Sequence, residues 1–219
     1  MLRREFVAGA LLLACTKKSS KLAFAVVPKG TSHEFWKSVH AGAIKAAREL
    51  GNVDVIWKGP LQENDLKGQI DVVDGFVAQG VKGIVLAPLD DKGLVAPVKQ
   101  AAVAGIPVVI FDSDLQGQDH ASFVATDNFA AGKIAGDAMG KLLDKDRKKV
   151  IVLRYQEGSA STQKREDGFL EAIKAFPFVE LVSTNQYAVA TVETAQKASE
   201  NLLARLSDVL KPSLKGHAP

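Results

Sequence analysis

Short apolar runs alternate with longer amphipathic stretches along most of this chain. Runs rich in Val, Ile and Leu predict β-strands at 22–27, 53–57, 83–87, 107–112, 122–125, 149–154 and 179–184. Helical periodicity between them predicts helices at 34–50, 64–80, 91–104, 128–144, 161–175 and 191–210. Gly51, Gly80 and Gly105 follow three of these helices, where a left-handed cap favours a residue without Cβ.

The order of these elements defines the fold class. Strands that are almost wholly apolar and separated by helices indicate a parallel sheet covered on both faces, hence a doubly wound α/β architecture. Between 107 and 127 two predicted strands follow one another without a helix, which indicates that the chain passes from one sheet to another. We therefore expect an N-terminal ligand-binding lobe at 22–125 and a partial C-terminal lobe at 126–210. In such folds ligands bind beyond the carboxyl ends of the strands.

The N-terminus has the pattern of an export signal. Arg3 and Arg4 precede an apolar run, 6–14, that is shorter than the roughly 20 residues needed to span a bilayer. The segment "LLAC" resembles a bacterial lipobox, which implies a signal peptide at 1–14 and lipidation of Cys15 as the first mature residue. An ordinary signal with a chance cysteine is the alternative. The arginine pair is compatible with either general or twin-arginine export. The predicted location is extracytoplasmic, on a lipid anchor.

Composition and charge exclude several classes of function. The chain has 28 Lys and Arg against 25 Asp and Glu, and its basic cluster at 145–149 is typical of a solvated helix end, so nucleic acid is not an expected partner. A single cysteine excludes an internal disulfide. The histidines lack metal-ligand spacing and no GxSxG motif occurs, so we expect binding without catalysis and without a metal or cofactor.

Two large rings stand at the start of the first predicted helix. Thr31, Ser32 and Glu34 supply the polar and acidic residues that helix N-termini favour. Phe35 and Trp36 follow, and adjacent helical positions project about 100° apart. One ring can therefore pack on the sheet while the other faces the loop mouth, where it could stack on the apolar face of a flat ligand. The alternative is that both are ordinary packing residues.

Polar candidates stand in the same loops. Asp112 ends a predicted strand, and an ionised carboxylate accepts two neighbouring hydroxyl groups side by side, as a sugar or polyol presents them. Asp114 is a second candidate, although an aspartate after a strand also caps turns. Lys29 and His33 could donate hydrogen bonds to hydroxyl or carbonyl oxygens, and a solvated lysine is the simpler reading of Lys29.

The predicted second lobe contains two further candidates for ligand binding, a loop and an arginine. The segment 158–161, "GSAS", could hold an anion on helix N–H groups, but it lacks the Gly-Lys-Ser/Thr ending of a nucleotide-binding loop. Arg165, one turn further on, could bind ligand oxygens with its guanidinium fork or pair with a carboxylate.

Several of these segments together resemble a known family. The segments "LAFAVVPKGTSHEFW", "VKGIVLAP", "GIPVVIFDSD", "VATDNFAAGKIAGDAMG" and "STQKREDGF" resemble the sugar-type periplasmic binding proteins of bacterial ABC importers, the ribose-binding class, over about residues 22–205. These proteins share their fold with LacI-type repressor cores. The resemblance implies two lobes that close on a sugar held between aromatic rings. It assigns ligand contacts to Phe35, Trp36, Asp112 and Arg165, with Tyr187 as a possible opposite aromatic.

The chain also departs from that pattern. His33 and Ala87 stand where ribose binders tend to have Asn, and Ser113 stands where they have Arg. Lys29 together with "FDSD" looks like the subgroup that binds rhamnose or the furanosyl signal autoinducer-2. Family members continue with further strands and helices beyond this length, so we expect a truncated chain with an incomplete second lobe and a polar tail at 211–219.

The predicted function is capture of a sugar or polyol by hinge closure and its presentation to an ABC permease and its ATPase. A different possibility is an envelope sensor module that presents the sugar or autoinducer-2 to a kinase or chemoreceptor. A truncated remnant that binds nothing is a third. A LacI-type repressor is disfavoured, because its DNA-binding helices would have to precede Lys21, where the export signal stands.

Overall fold

A computed structural model describes residues 21–143 and 148–207. The predicted signal peptide, Cys15 and the polar tail lie outside these residues. The elements in chain order are β1 (Leu22–Val27), α1 (Glu34–Leu50), β2 (Val53–Trp57), α2 (Leu66–Gln79), β3 (Gly83–Leu86), α3 (Val95–Val103), β4 (Val108–Phe111), β5 (Ser122–Val124), α4 (Asn128–Leu142), β6 (Lys148–Arg154), α5 (Ala160–Ile173), β7 (Val179–Tyr187) and α6 (Val192–Arg205).

The strands form two parallel sheets, which confirms the α/β fold class. In the first sheet the order is β2-β1-β3-β4-β5, and in the second β6 pairs with β7. The prediction that the chain changes sheet between the two strands at 107–127 is wrong. β5 stays beside β4, with Ile110 opposite Phe123, and the loop between them makes the connection without a helix. The chain leaves the first sheet through 125–127.

The core of the first lobe lies between its sheet and helices α2 and α3. It consists of buried apolar residues from three strands and one face of each helix: Ala25, Val27, Ile84, Leu86, Val108, Ile110, Val73, Phe76, Val98 and Ala101. Fully burying one such side chain contributes about 1.5–3 kcal/mol. This core fixes the strands, and so fixes where the loops at their carboxyl ends emerge.

One buried polar side chain ties two of those loops together. The amide nitrogen of Gln69 donates to the carbonyl oxygens of Pro28 (3.0 Å) and Ala87 (2.8 Å), and its oxygen accepts from the backbone N–H of Leu89 (2.8 Å). Gln69 is fully buried, so its hydrogen bonds replace those that water would otherwise make. The loops that follow β1 and β3 are thereby held in register beside one another.

The start of α1 differs from the expectation. His33, rather than Thr31 or Ser32, caps the helix: its Nδ1 accepts from the backbone N–H of Phe35 at 3.1 Å. The two hydroxyl groups instead donate to the carbonyl oxygens of Pro60 (3.2 Å) and Leu61 (2.9 Å). The segment before α1 is therefore tied to the loop after β2.

The glycines predicted as helix caps do have left-handed backbones. Gly51, Gly80 and Gly105 have φ of 74°, 65° and 73°. α2 begins at Leu66 rather than at 64, because the side chain of Asp65 caps it. α3 begins at Val95 rather than at 91, because residues 91–94 form turns. The predicted end of the last helix, at 210, lies outside the described residues.

Glycines also allow α4 and α5 to approach closely. A Cβ on Gly132 would lie 2.0 Å from the carbonyl oxygen of Arg165, and one on Gly168 would lie 2.1 Å from that of Phe129. Real atoms do not approach so closely, so each helix presents a bare backbone to the other. This contact sets the position of Arg165.

We expect Gly132→Ala to lower the free energy of unfolding by about 1–3 kcal/mol, because overpacking forces the two helices apart. Gly42→Ala is the matched control: Gly42 lies within α1 with nothing within 4 Å of its added Cβ. That change should raise stability by roughly 0.5–1 kcal/mol. Urea unfolding of both variants is the measurement, and equal effects in the two would contradict the packing argument.

Candidate functional site

A cavity of about 560 Å³ lies between the two lobes, where the carboxyl ends of both sheets face each other. Its first-lobe wall comes from the loops after β1 and β2 and from the end of β4. Its second-lobe wall comes from the end of β6, the first turns of α5 and the segment between β7 and α6. The side chains that matter for its chemistry are Lys29, His33, Phe35, Trp36, Glu63, Asp112, Arg154, Tyr155, Thr162, Arg165 and Thr191.

The rings of Phe35 and Trp36 lie in different environments, one exposed and one buried, as their adjacent positions on α1 predict. Trp36 is 2% exposed and meets Phe111 of β4 edge to face, with ring centroids 6.2 Å apart. Phe35 is 49% exposed and lies edge-on against Trp36, with centroids 4.8 Å apart. Trp36 therefore anchors the helix on the sheet, and Phe35 leaves apolar surface available at the cavity wall.

Glu63 joins the two lobes at this wall. One carboxylate oxygen accepts from Nε1 of Trp36 at 2.8 Å, and the other accepts from the hydroxyl of Tyr155, in the second lobe, at 2.8 Å. Burial, and next to it the charge of Glu63, raise the pKa of the Tyr155 hydroxyl. The hydroxyl accordingly stays protonated and donates a hydrogen bond to Glu63.

Lys29 and Asp112 form the polar floor of the cavity. Lys29 is 2% exposed, and its Nζ donates to Ser159 Oγ (3.0 Å) and Ser161 Oγ (3.3 Å). Its Nζ also lies 3.7 Å from Asp112 Oδ2. Burial lowers the pKa of Lys29 and raises that of Asp112, and their mutual attraction opposes both shifts. Each charge thus helps to keep the other ionised in a largely buried site.

Two arginines face the cavity from the second lobe. Arg154 Nη1 donates to the hydroxyl of Tyr187 at 3.3 Å, and its Nε lies 3.6 Å from Glu166 Oε2. Arg165 is more exposed, and its charge acts with that of Lys29 to oppose the rise in the pKa of Asp112. Arg165 also lines the cavity, where its guanidinium carries five N–H donors.

Backbone strain is concentrated at this cavity. Asp112 and Val189 are the two non-glycine residues with positive φ in the described part of the chain, at 64° and 63°. One belongs to each lobe, and both line the cavity. Such conformations cost roughly 1–3 kcal/mol and persist where the surrounding structure holds them. Here the N–H of Asp112 donates to Val124 O and that of Val189 to Tyr155 O.

Most of the side chains predicted from sequence lie at this one cavity: Lys29, His33, Phe35, Trp36, Asp112 and Arg165. Asp114 does not line it; its Oδ2 accepts from Lys164 Nζ at 2.7 Å beside a separate, smaller cavity. Tyr187 lies on another neighbouring cavity with Gln116 and Gln163. The role of each residue in ligand binding remains a prediction.

The segment predicted as a possible anion cradle has another occupant. The ammonium group of Lys29 lies against the hydroxyl groups of Ser159 and Ser161 at the N-terminus of α5. The helix dipole disfavours a cation at this position. The two hydroxyl groups and Asp112 stabilise the ammonium group against that effect. The site of a bound anion is thus taken by the protein's own lysine.

Sequence reasoning missed Glu63, Arg154, Tyr155 and Thr191. Glu63 is one of several polar residues in the loop after β2, and nothing in the sequence distinguishes it from Gln62 or Asp65. Tyr155 had a usable signal, since it directly follows the predicted strand that becomes β6. Position after a strand end, applied to every loop, would have included it.

Within the described residues no three His, Cys, Asp or Glu side chains lie close enough to hold a metal ion. Among the helices of 21–143 and 148–207, none has the length and hydropathy needed to cross a bilayer.

A cleft between two α/β lobes, lined by rings and by paired charges, is typical of proteins that bind small molecules. The chain belongs to the periplasmic binding protein domain family, which it matches over residues 24–211. This confirms the resemblance seen in the sequence.

Individual relatives are sugar-binding proteins. The chain is 29% identical over 189 residues to the D-allose-binding periplasmic protein of Escherichia coli K12, covering 82% of this chain and 60% of that protein. It is 32% identical over 178 residues to the ribose import binding protein of Salmonella typhimurium, covering 80% and 59%. The chain thus spans about 60% of the length of these relatives.

A similar solved structure is an ABC transporter solute binding protein from Agrobacterium vitis with bound D-fucose. It has 34% sequence identity and a TM-score of 0.79, and the match covers 84% of this chain and 64% of that one.

The burial of Lys29 predicts how the free energy of unfolding depends on pH. Because burial lowers the pKa of Lys29, the unfolded chain binds more protons than the folded chain between that lowered pKa and the pKa of an unfolded lysine. The free energy of unfolding should therefore rise with pH across this window, relative to Lys29→Met, which has no titrating group there. Urea unfolding at a series of alkaline pH values measures the difference. A flat or falling difference would contradict the assignment of a desolvated ammonium.

Proposed function

We propose that this chain captures a sugar or polyol in the cavity between its lobes, by hinge closure and without covalent chemistry, as the substrate-binding component of an ABC importer. The observation that carries the proposal is that Phe35, Asp112 and Arg165, three different kinds of sugar-binding group, lie on one cavity. Its volume of about 560 Å³ falls within the range usual for small-molecule sites.

Each group has a distinct task in this proposal. The exposed part of the Phe35 ring stacks on the apolar C–H face of the sugar ring. Asp112 accepts hydrogen bonds from neighbouring hydroxyl groups through the oxygen that does not face Lys29. Arg165 donates from the opposite lobe, so a ligand that contacts both residues links the two lobes. His33 supplies its second ring nitrogen, since Nδ1 is already used as the helix cap.

The strained backbone at Asp112 and Val189 supports the same site. A left-handed backbone is a marked exception for a β-branched residue such as Val189 and less unusual for an aspartate, and both residues line the cavity.

The relatives support a sugar as the ligand and an importer as the context. Proteins similar to this chain are described as binding D-allose, ribose and D-fucose. Because the chain covers about 60% of the first two, delivery to a permease and its ATPase is part of the proposal. So is an extracytoplasmic location with a lipid anchor on Cys15, which the export signal and lipobox pattern support.

Isothermal titration calorimetry of the 219-residue chain tests the proposal directly. The panel consists of pentoses, hexoses including deoxy sugars, inositols and the furanosyl signal autoinducer-2. We expect saturable heat with at least one of them. A folded chain, verified by circular dichroism, that gives no heat with any member of the panel would overturn sugar capture as the function of this chain.

Substitutions at the cavity sharpen that test. Phe35→Ala should weaken binding of the identified sugar by about tenfold, because it removes a stacking ring worth roughly 1.4 kcal/mol or more. Asp112→Asn should weaken it by tenfold to a hundredfold, since hydrogen bonds to a charged group contribute about 1.5–3 kcal/mol. Phe129→Ala is the matched control: Phe129 is 40% exposed, on α4, and does not line the cavity. Equal losses at positions 35 and 129 would contradict the assignment.

A further inference from the structure

The second-lobe wall of the cavity has two parts of different chemistry. The first turns of α5 are polar and supply Ser161, Thr162 and Arg165. The other part comes from the end of β6 and from the segment that runs from β7 into the first turn of α6. Its aliphatic side chains, here called the aliphatic wall, are those of Leu153, Ala188, Val189, Ala190, Val192 and Ala195.

Backbone hydrogen bonds fix the aliphatic wall against the end of β6. The N–H of Ala188 donates to the carbonyl oxygen of Arg154, and the N–H of Val189 donates to that of Tyr155, both at 2.7 Å. The left-handed backbone of Val189, with φ of 63°, is held in place by the second of these bonds. These two N–H groups are therefore already used within the protein.

The polar side chains beside the aliphatic wall also have partners. The N–H of Thr191 donates to the hydroxyl oxygen of Thr194, and the hydroxyl oxygen of Thr191 accepts from the N–H of Thr194, both at 3.2 Å. The two hydroxyl oxygens lie 3.1 Å apart. The hydroxyl of Tyr155 donates to Glu63 at 2.8 Å. Each of these groups would have to give up a bond within the protein to bind a ligand hydroxyl.

Arg154, at the end of β6, is directed at its own lobe in the same way. Its Nη1 donates to the hydroxyl of Tyr187 at 3.3 Å, its Nε lies 3.6 Å from Glu166 and its Nη2 lies 3.8 Å from Asp167. The Arg154 side chain is 17% exposed. Its charge is therefore compensated by two carboxylates of the second lobe.

The aliphatic wall is accessible even though it is apolar. Val189 is 39% exposed and Val192 is 78% exposed. Apolar surface inside a concave site is surface that a ligand can remove from water. A ligand that covers this wall gains by presenting carbon and hydrogen to it.

A sugar that fits such a cavity combines two kinds of surface. Its ring hydroxyl groups need Asp112 and Arg165, as in the proposed function, while the part that meets the aliphatic wall must be free of hydroxyl groups. The largest group of that kind on a simple hexose is the methyl group of a 6-deoxyhexose. A hydroxyl group on C6 would lose its water against side chains that contain no polar atom. A pentose has no sixth carbon with which to cover them.

We propose that this chain selects 6-deoxyhexoses, whose C6 methyl group packs on the aliphatic wall while the ring hydroxyl groups bind Asp112 and Arg165. Val189 and Ala190 are the residues that determine this specificity. The inference rests on the proposed function and names the class of sugar that the same cavity prefers.

Isothermal titration calorimetry of the 219-residue chain with matched sugars tests this specificity. L-Rhamnose is paired with L-mannose, D-fucose with D-galactose and L-fucose with L-galactose, because the members of each pair differ only at C6. The tightest ligand should be a 6-deoxyhexose. It should bind about tenfold to a hundredfold more tightly than its partner, which is the discrimination that an apolar pocket achieves between a methyl and a hydroxyl group.

The outcomes separate this inference from the proposed function. Saturable binding in which the 6-hydroxy partner binds as tightly as the 6-deoxyhexose, or a pentose binds more tightly than either, would overturn the 6-deoxy specificity and leave sugar capture intact. No heat with any sugar would overturn sugar capture, and the specificity with it.

Two variants add a hydroxyl group to the aliphatic wall with little change of shape. Val189→Thr and Ala190→Ser should each reduce the preference for the 6-deoxy member of the pair about fivefold, the effect of one hydrogen bond gained by the C6 hydroxyl. The quantity measured is the ratio of the two dissociation constants. A residue with a merely structural role would weaken both sugars equally, so an unchanged ratio in both variants would overturn the assignment.

Val103→Thr is the matched control, because it makes the same chemical change at a position 83% exposed on α3, away from the cavity. It should leave the ratio unchanged. Should Val189→Thr fail to fold by circular dichroism, Ala190→Ser decides the question alone.

Saturation-transfer difference NMR locates the methyl group directly. With the 6-deoxyhexose that binds, irradiation of the protein's aliphatic methyl protons should saturate the C6 methyl protons of the sugar more strongly than its ring protons. Weaker saturation of the methyl group than of the ring would overturn its placement on the aliphatic wall.

Discussion

Burial of one ammonium group between two lobes is the constraint on which this site depends. Removing a charge from water costs several kcal/mol unless partners replace the lost hydration. Lys29 finds its partners only where the end of β4 and the start of α5 come together, because Asp112 is in one lobe and the two serines are in the other. The energetic requirement of a single side chain thus links the strand ends of both sheets.

The need to give buried charges partners separates the side chains of the cavity into two groups. Lys29, Glu63 and Tyr155 are satisfied by one another or by neighbours in the protein, so they contribute shape and closure. Phe35 and Arg165 remain partly exposed at the cavity and contribute surface to which a ligand can bind. Asp112 belongs to both groups, with one oxygen toward Lys29 and a strained backbone that fixes its direction.

The fold was predictable because it depends on local periodicity. Near-continuous apolar strands and glycine caps specified two parallel sheets, and the comparisons with sugar-binding relatives confirm that class. The gathering of Lys29, Phe35, Trp36, Asp112 and Arg165 was also predictable, because strand ends of parallel sheets share one edge. Asp114 and Tyr187 show the limit of that rule, since position after a strand does not fix which of two adjacent cavities a side chain enters.

The sequence by itself determined the elements, the glycines at the ends of three helices and the loops that surround the cavity, since each of these depends on residues near one another along the chain. Only the tertiary structure decided the partners of the buried charges. Glu63 and Tyr155 are 92 residues apart, and Lys29 and Ser159 are 130 apart. Contacts over such separations depend on how two lobes are placed relative to one another, and no local pattern of hydrophobic and polar positions carries that information.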